Sequence, residues 1–343
     1  MEEIFFIGGK CMNVELLFKM VKRENTSRFL VKKQDGVFKS LLINNSENPC
    51  VGKVIEVKKD DLCDVDKKWI NKYEKFCRSI ENIKSHLIFY KRQNTDLKNL
   101  PFGSWNGNEY EHILPEEEKE LNLIHSYYTE SLLDFYNLIK EKNELHRGFA
   151  NLNSSQAFAL NFFVPIIKNE ELFADLFELP YFEKIKLAEF EKTLDDKERS
   201  QLDFYLETKA SAFTFEVKYS ENAFGDAEKD ERHEIKYNEV YKDRLSRVID
   251  NLTEKEFFEE YQLWRNICFA GDGKIVCFVF PRFREDLTEK VMSARDKCKE
   301  GVKGQIKILH VDDFVNKVIN GDNENMKKHY QEFKRKYLDV KDF

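Results

Sequence analysis

Two acidic residues and a lysine are spaced so that they could act together on a phosphodiester. Asp203 lies in the apolar segment 201–208, and Glu216 and Lys218 lie two residues apart in the segment 212–220. Side chains alternate between the two faces of a strand, so Glu216 and Lys218 point the same way if their segment is a strand. If the two segments pair as a hairpin, both carboxylates and the ammonium group converge on one face, and the opposite, apolar face packs on a core.

This grouping of charges predicts a metal site. Neighbouring carboxylates repel each other unless a cation lies between them, and oxygen ligands with room for water suit Mg²⁺ or Mn²⁺. Such an ion stabilises charge on a scissile phosphate, and Lys218 could orient or deprotonate the attacking water. The alternative from the residues alone is an exposed strand face whose charges only form salt bridges.

A second segment carries the same letters and offers a competing location. Glu56-Val57-Lys58 lies in a strand-like run, with Asp35 upstream of it. That run lacks both a helix flanking it in the right order and a meander of strands. Because an acid-x-Lys triplet is common in a chain this rich in charge, the surrounding elements must decide, and they favour the site at Asp203.

A helix and a meander of strands would position the favoured site. Asn153-Ser154-Ser155 are good N-cap residues and predict a helix that runs to Pro165. Three strand-like segments with short polar connections follow, and they span Ile185 to Lys192, Gln201 to Thr208 and Ala212 to Ser220. Upstream, Pro115 and three glutamates predict the start of a helix whose apolar spacing continues to Ile139.

The rest of the chain completes an α/β pattern. After a charged loop from Asn222 to Asn238, the predicted elements are a long helix (about Thr253 to Phe269), a strand (Ile275 to Phe280), a helix (about Glu285 to Lys299), a strand (Ile306 to His310) and two closing helices. The order helix, three antiparallel strands, helix, strand predicts an αβββαβ core, in which helices flank one mixed sheet.

The N-terminal part differs from the rest in pattern and in charge. Residues 1–100 alternate short apolar runs with Gly, Asn and Asp, which predicts a β-rich module with one helix near Lys67 to Ile80. They hold 20 Lys and Arg against 14 Asp and Glu, a net charge of +6, whereas the remainder holds 36 against 49, a net charge of −13. A polar stretch from Gln93 to Asn108 predicts the boundary, so the expected domains are 1–100 and 101–343. The basic module could bind a phosphate backbone or recognise a target, although a solvated lysine-rich surface would give the same balance.

Composition excludes several classes of protein. With 41% hydrophobic and 35% charged residues and few Gly and Pro, the chain is globular. No apolar run is long enough to span a bilayer and the first residues do not resemble an export signal, so a cytoplasmic protein without a membrane partner is expected. The seven cysteines and seven histidines are scattered without metal-binding spacing. Any metal is therefore expected to have oxygen ligands.

In their order along the chain, the motifs resemble the PD-(D/E)XK nuclease superfamily. The core of that superfamily is αβββαβ, with Asp on one strand of a hairpin and (Asp/Glu)-x-Lys on the next. Asp203 and Glu216-Val217-Lys218 match this pattern, with Leu202 in place of the proline. A bacterial family of restriction endonucleases looks more similar still, over about residues 105 to 310, and four segments carry this likeness: Asn153-Ser154-Ser155-Gln156-Ala157, Leu202-Asp203-Phe204, Glu216-Val217-Lys218-Tyr219-Ser220-Glu221 and Gln262-Leu263-Trp264-Arg265-Asn266.

The resemblance implies roles for the motif residues. Asp203 and Glu216 would bind Mg²⁺, or Mn²⁺, with help from the Val217 carbonyl. Lys218 would act on the attacking water. Gln156, on the preceding helix, would take the place where such nucleases often have a further polar or acidic active-site residue, although a capping or buried hydrogen-bonding amide fits that position equally well.

For other residues near the motifs, the sequence gives weaker evidence of a role in the site. Gln262 and Arg265 lie one turn apart on the later helix and could contact phosphate, although a surface salt bridge would account for Arg265 equally well. Glu221 could bind a second metal, but an ordinary carboxylate at a strand end is the better interpretation. His112 and His146 are interpreted as structural and are left out of the site.

Together these features predict a Mg²⁺-dependent endodeoxyribonuclease of the type II restriction class, acting in restriction or phage defence. Double-stranded DNA and a cognate methyltransferase are the expected partners, and a double-strand cut favours a homodimer because one active site cuts one strand. Two alternatives remain open. One is a catalytically inactive nuclease-fold protein that binds DNA or another partner, which the complete set of motif residues disfavours. The other is a repair or RNA nuclease with the same chemistry.

Overall fold

The chain divides into two compact units, Met1–Glu81 and Asn82–Phe343. The computed structural model describes the backbone of five strands before residue 57 and, beyond them, residues 80–176, 184–194, 200–221, 224–225, 227 and 230–340. The boundary predicted at Gln93 to Asn108 falls within the second unit. There the Lys91 ammonium group donates to the Pro101 carbonyl at 3.0 Å, so this polar stretch folds back on the helix before it instead of linking two domains.

The described part of the first unit is an antiparallel sheet with its strands in chain order. Its strands are β1 (Glu2–Ile7), β2 (Lys10–Arg23), β3 (Thr26–Lys33), β4 (Phe38–Asn44) and β5 (Gly52–Glu56). Residues 67–79 of the predicted helix lie outside the described residues. So do Asp35, Val57 and Lys58 of the competing motif. Its Glu56 ends β5 of this meander, so the expectation that no meander of strands accompanies the competing motif is wrong.

The second unit begins with elements that lead to the core. They are helix α1 (80–93), whose first two residues still belong to the first unit, the hairpin strands β6 (Gly103–Trp105) and β7 (Asn108–Tyr110), a 3₁₀ helix (Glu116–Asn122) and helix α2 (Thr129–Glu141). The prediction of one helix from Pro115 to Ile139 is therefore wrong. Leu123 is extended (φ −78°, ψ 144°), and the Ile124 N–H donates to the buried Asn161 side-chain oxygen at 2.8 Å. A tertiary hydrogen bond takes the place of the helical one.

The central helix and the meander follow in the predicted order, although the helix continues past Pro165 and the third strand ends at Val217 instead of Ser220. They comprise α3 (Ser155–Lys168), a short helix α4 (Glu171–Leu176) and the strands β8 (Leu187–Thr193), β9 (Gln201–Glu207) and β10 (Ala212–Val217). The Ser154 side chain caps α3 by accepting a hydrogen bond from the Ala157 N–H. Most side chains of α3 are buried, which is typical of a helix covered on all sides.

The later elements complete the sheet and cover it. In chain order they are α5 (Glu231–Lys236), a π-helical turn (Tyr237–Tyr241), α6 (Lys242–Val248), α7 (Glu254–Glu259), α8 (Tyr261–Ile267), a 3₁₀ turn (Cys268–Asp272), β11 (Ile275–Phe280), α9 (Glu285–Lys297), α10 (Glu300–Lys303), β12 (Ile306–His310), α11 (Val311–Ile319) and α12 (Glu324–Tyr337). Strands β11 and β12 have the predicted bounds, because each is a short apolar run between polar connections.

Two predictions in this region are wrong, and a hydrogen bond accounts for each. The stretch Asn222 to Asn238 was expected to be a loop, yet α5 begins at Glu231 because the Asp230 side chain caps it. The helix expected from Thr253 to Phe269 is interrupted at Glu260, whose backbone is not helical (φ −135°, ψ 49°). At the break, the Gln262 N–H donates to the Gly225 carbonyl at 3.2 Å instead of continuing the helix.

The five strands of the second unit form one mixed sheet in the order β12-β11-β10-β9-β8. Strands β8, β9 and β10 are antiparallel neighbours, while β11 is parallel to both β10 and β12. A mixed sheet flanked by helices is confirmed, and the order α3, three strands, helices, strand fits the predicted core.

Both faces of the sheet are covered by apolar side chains. On one face Phe163 of α3 packs on Phe204 and Phe215, with 4.4 Å and 4.9 Å between ring centroids. On the other face Trp264 and Phe278 belong to a cluster that joins the sheet to α6, α7, α8 and α9. No helix among the described residues is long and apolar enough to cross a membrane.

Candidate functional site

A cleft of about 480 Å³ lies where the end of β10 meets the start of α3 and helix α8. All the residues predicted for the site line it, namely Gln156, Asp203, Glu216, Val217, Lys218, Gln262 and Arg265. Glu216 and Lys218 are only 2% and 8% exposed. The alternative of an exposed, salt-bridged strand face is therefore wrong, because helices cover the sheet on this side as well.

Three carboxylates lie side by side across neighbouring strands. Phe204 pairs with Phe190 of β8 and with Phe215 of β10. Glu191, Asp203 and Glu216 are each the next residue along their strand in the same direction, and all three line the cleft. Asp203 is further fixed because its Oδ2 accepts a hydrogen bond from the Val217 N–H at 2.6 Å. The pairing of strands thus gathers negative charge at one end of the sheet.

Glu216 has hydrogen-bond partners on both of its oxygens. Its Oε1 lies 2.8 Å from the Lys218 ammonium nitrogen. Its Oε2 accepts from the Asn266 amide at 2.7 Å and from the Arg265 guanidinium at 3.3 Å. Burial alone would raise the pKa of Glu216, but Lys218 and Arg265 outweigh it and hold the pKa below its usual value. Glu216 is therefore ionised and held in one orientation.

Lys218 is held between a carboxylate and an amide. Besides its ion pair with Glu216, its ammonium group donates to the Gln262 side-chain oxygen at 2.9 Å. Burial would lower the pKa of Lys218, yet Glu216, Glu221 and Asp203 together raise it above its ordinary value. Lys218 is therefore protonated and positively charged in the protein without a bound metal.

The pKa of Asp203 indicates that the cleft has too little positive charge to balance its carboxylates. Burial first, and then repulsion by Glu216, raise the pKa of Asp203 to about 8, although Lys218 and the Val217 N–H oppose the rise. Four carboxylates line the cleft, those of Glu191, Asp203, Glu216 and Glu221, against the cations of Lys218 and Arg265 and the imidazole of His146. A divalent cation would balance this charge, so the residues fit a metal site.

The ligand set for such a cation would be small. Among the described residues, no group of three or more His, Cys, Asp or Glu side chains is gathered closely enough to hold a metal ion. Asp203, Glu216 and Val217, the ligands implied by the resemblance, all line the cleft; as a metal site they stay a prediction, with waters for the remaining positions. Mg²⁺ usually binds through one or two carboxylates and keeps several waters, so this set suits it.

Gln156 lies at the back of the cleft and is 4% exposed. Its amide nitrogen donates to Glu191 Oε1 at 2.6 Å and to the Glu144 carbonyl at 3.0 Å, and its oxygen accepts from the His146 N–H at 2.9 Å. These contacts match the alternative interpretation of a buried, hydrogen-bonded amide. A direct part in catalysis remains a prediction for Gln156.

Two further residues line the cleft: Glu191, which was not predicted, and His146, which was interpreted as structural and left out of the site. Glu191 is 4% exposed, with left-handed backbone (φ 53°), and its Oε2 lies 3.4 Å from His146 Nε2. The hydrogen bond to Glu191 raises the pKa of His146 above its usual value, against the effect of burial. The pairing of the first two predicted strands would have pointed to Glu191. His112, by contrast, is buried outside the cleft, and burial lowers its pKa to about 4.

Gln262 and Arg265 face the site as their helical spacing suggested. The Gln262 side-chain oxygen accepts from the Lys218 ammonium group and, at 3.3 Å, from the Gly225 N–H. Arg265 forms an ion pair with Glu216, and its side chain is only 11% exposed. A surface salt bridge is thus not the role of Arg265. Contact of either residue with nucleic acid remains a prediction.

The segment that follows Lys218 is clamped from both sides. Glu221 accepts hydrogen bonds from the Ser155 hydroxyl and, at 2.9 Å, from the Tyr219 N–H. The buried Arg284 guanidinium donates to the carbonyls of Tyr219 and Glu221 at 2.9 Å and 2.8 Å, and its charge is paired with Asp286. Glu221 therefore has a structural role at this strand end.

Replacing Arg284 with methionine should lower the free energy of unfolding by about 2 to 3 kcal/mol, because the buried Tyr219 carbonyl and the half-buried Glu221 carbonyl would lose their donor. Arg282→Met is the matched control: Arg282 is 59% exposed and paired with Asp313 at the surface, so its loss should cost under about 1 kcal/mol. Urea denaturation of both variants measures the difference. Equal losses in the two variants would contradict the clamp.

Comparison with protein families matches residues 84–338 to a family described as Restriction Endonuclease associating with ARP. The match spans every element from β6 to α12, and so includes the cleft. Comparison with curated proteins gives no match. Comparison with solved structures gives none either.

Proposed function

The chain belongs to the family described as Restriction Endonuclease associating with ARP, and on this premise we propose that it is a Mg²⁺-dependent endodeoxyribonuclease. Its substrate would be double-stranded DNA, and its role would be restriction or phage defence in the cytoplasm. The observation that supports this most strongly is the buried pair Asp203 and Glu216 beside Lys218, in a cleft short of positive charge. Such a site suits a cation and a phosphodiester.

The proposed roles follow from the contacts in the cleft. A Mg²⁺ or Mn²⁺ ion held by Asp203, Glu216 and the Val217 carbonyl would supply charge stabilisation for the phosphate. Lys218 orients the attacking water and offsets negative charge with its ammonium group. Gln262 holds that ammonium group at 2.9 Å. Groups fixed before the substrate arrives need no reorganisation during the reaction, which is the main source of electrostatic catalysis.

Supporting residues keep the carboxylates in place. Asn266 and Arg265 hold Glu216 from the helix side, and the Val217 N–H holds Asp203. On the far wall, Gln156 fixes Glu191, which in turn holds the imidazole of His146 at the edge of the cleft. We infer that this wall faces the substrate strand and that Gln156 acts by positioning.

We also propose protein partners for this chain. A double-strand cut by a single-site protomer needs a second copy, so we propose a homodimer on DNA. A cognate methyltransferase would accompany a restriction activity, and the family description adds an association with ARP.

Incubation of the purified full chain with supercoiled plasmid tests the proposal. Nicking or linearisation is expected with Mg²⁺ or Mn²⁺ and none with EDTA, because the carboxylates of the cleft need a cation before they can accept a phosphate. Methylated and unmethylated plasmids, and an RNA of the same sequence, run in parallel. Cleavage of RNA alone would favour the RNA nuclease, and DNA binding without cleavage would favour the inactive nuclease-fold protein.

A further inference from the structure

A hairpin stands against the rim of the cleft. Strands β6 and β7 form it, and the segment after β7 is bonded to the rim: the Leu114 N–H donates to the Ala150 carbonyl at 2.9 Å, next to Asn151, which lines the cleft. Gly103 packs so closely on Leu114 that a β-carbon there would overlap the Leu114 carbonyl. The hairpin is therefore fixed relative to the cleft.

The tip of the hairpin holds an arginine of the rim. Asn106 and Gly107 both have positive φ (51° and 81°), as a tight two-residue turn requires. The Arg147 guanidinium lies 4.6 Å from the Trp105 ring centroid and donates to the Asn106 side-chain oxygen at 3.0 Å. Arg147 follows His146 directly, so one side chain faces the cleft and the next faces the hairpin.

Arg147 keeps its charge available. It is exposed, and among the described residues it makes no ion pair with a carboxylate, whereas nearby cations such as Lys142 and Arg92 are paired with Glu189 and Glu111. Its contacts use an aromatic face and a neutral amide, and these hold the guanidinium without neutralising it. Fixing the side chain in advance also reduces the entropy lost when it binds a ligand.

The charge of the cleft explains why such a cation is needed. Four carboxylates line the cleft, and they repel the phosphates of an approaching DNA strand. Cations at the rim must therefore hold the strand on either side of the reacting phosphate. Arginine suits this position because its planar fork matches the geometry of a phosphate.

We propose that Arg147, held by Trp105 and Asn106, binds a backbone phosphate of the DNA strand that enters the cleft beside His146. The contact positions the strand and reads no bases. This inference rests on the proposed function, because it takes DNA as the ligand. It adds a surface outside the residues that line the cleft.

DNA binding by the full chain tests it, measured by fluorescence anisotropy with a short fluorescein-labelled duplex and Ca²⁺ in place of Mg²⁺. Arg147→Gln should weaken binding about tenfold, as loss of a charged hydrogen bond does. It should also reduce the slope of log K against log salt concentration by about 0.9, the value for one phosphate contact. An unchanged affinity and slope would overturn the proposal.

Arg335 offers a matched control. It is also a half-exposed arginine over an aromatic ring, 5.3 Å from the Tyr90 centroid, but it is paired with Glu332 at 2.7 Å and lies away from the cleft. Arg335→Gln removes the same charge and should change affinity by less than about twofold. Equal losses in both variants would mean that only net charge matters, which would overturn the assignment of Arg147.

A second pair of variants tests the hairpin. Trp105→Leu removes the ring that holds Arg147 and should weaken binding several-fold, while Trp105→Phe keeps a ring and should retain most of the affinity. Equal affinities for the two variants would contradict the role of the ring.

The two proposals can fail separately. If the chain binds duplex DNA through Arg147 but cleaves nothing, the nuclease proposal is refuted and the phosphate contact of Arg147 is supported. A chain that binds no duplex would overturn both.

Discussion

Replacing Lys218 with alanine should lower the rate of DNA cleavage by at least about 10³-fold, the scale of losing a fixed charge in an active site. The ammonium group lies 2.8 Å from Glu216 and is held by Gln262 on its other side. Water can enter the space it leaves, but water supplies no positive charge. Duplex binding should stay nearly unchanged, because a single buried lysine contributes little to holding the strand. Single-turnover cleavage and anisotropy measure the two quantities.

Lys307→Ala is the matched control for this variant. Lys307 lies on β12 of the same sheet but is exposed and outside the cleft, so its loss should leave cleavage unchanged. Lys218→Arg provides a second test in case the alanine variant fails to fold, because it keeps the charge. It should keep the fold but lose most of the cleavage activity, since a planar guanidinium cannot take the place of a compact ammonium group. Full cleavage by a folded Lys218→Ala protein would remove Lys218 from the mechanism.

The sheet could be predicted closely because its strands are short apolar runs between polar connections. The bounds predicted for β11 and β12, Ile275–Phe280 and Ile306–His310, are those observed. Alternation along the segment predicted as the third strand also put Glu216 and Lys218 on one side. The structure ends β10 at Val217 and has the two residues joined by an ion pair. Local pattern suffices for these features, since each depends on residues close together in the chain.

Predictions failed where a distant residue decides the outcome. The helix expected after Pro115 stops because Asn161, far along the chain, accepts the hydrogen bond of Ile124. Glu191 escaped notice because its place beside Asp203 depends on how β8 pairs with β9. Helical propensity and alternation contain no information on such contacts, so the far wall of the cleft could not be derived from the motif segments alone.

Replacing Asp203 with asparagine should have opposite effects on activity and on stability. Cleavage should fall by at least about 10³-fold, because the amide is a poor ligand and carries no charge. In EDTA at about pH 8, the free energy of unfolding should rise by at least about 2 kcal/mol. The amide oxygen can still accept the hydrogen bond of the Val217 N–H, so the local structure is kept.

The direction of the change in stability follows from the raised pKa of Asp203. Burial and then Glu216 raise the pKa of Asp203 from 3.8 to about 8 in the folded protein without metal. Between about pH 4 and pH 8 the folded protein therefore holds a proton that the unfolded chain releases, so its stability falls as pH rises through this range. Asparagine does not ionise. The advantage of the variant should thus grow from about pH 5 to pH 8, by up to about 1.4 kcal/mol per unit.

Thermal unfolding with and without Mg²⁺ tests whether charge repulsion at Asp203 lowers the stability of the protein without metal. Mg²⁺ should raise the Tm of the wild type at about pH 8, because it binds the folded state and relieves the repulsion, and it should leave the Asp203→Asn variant unchanged. Asp134→Asn, at an exposed position on α2, should show neither effect. If Asp203→Asn instead unfolds below the wild type in EDTA, Asp203 stabilises the fold and the cleft does not need a cation. The same carboxylate would then be structural, and the case for a metal-dependent nuclease would lose its main support.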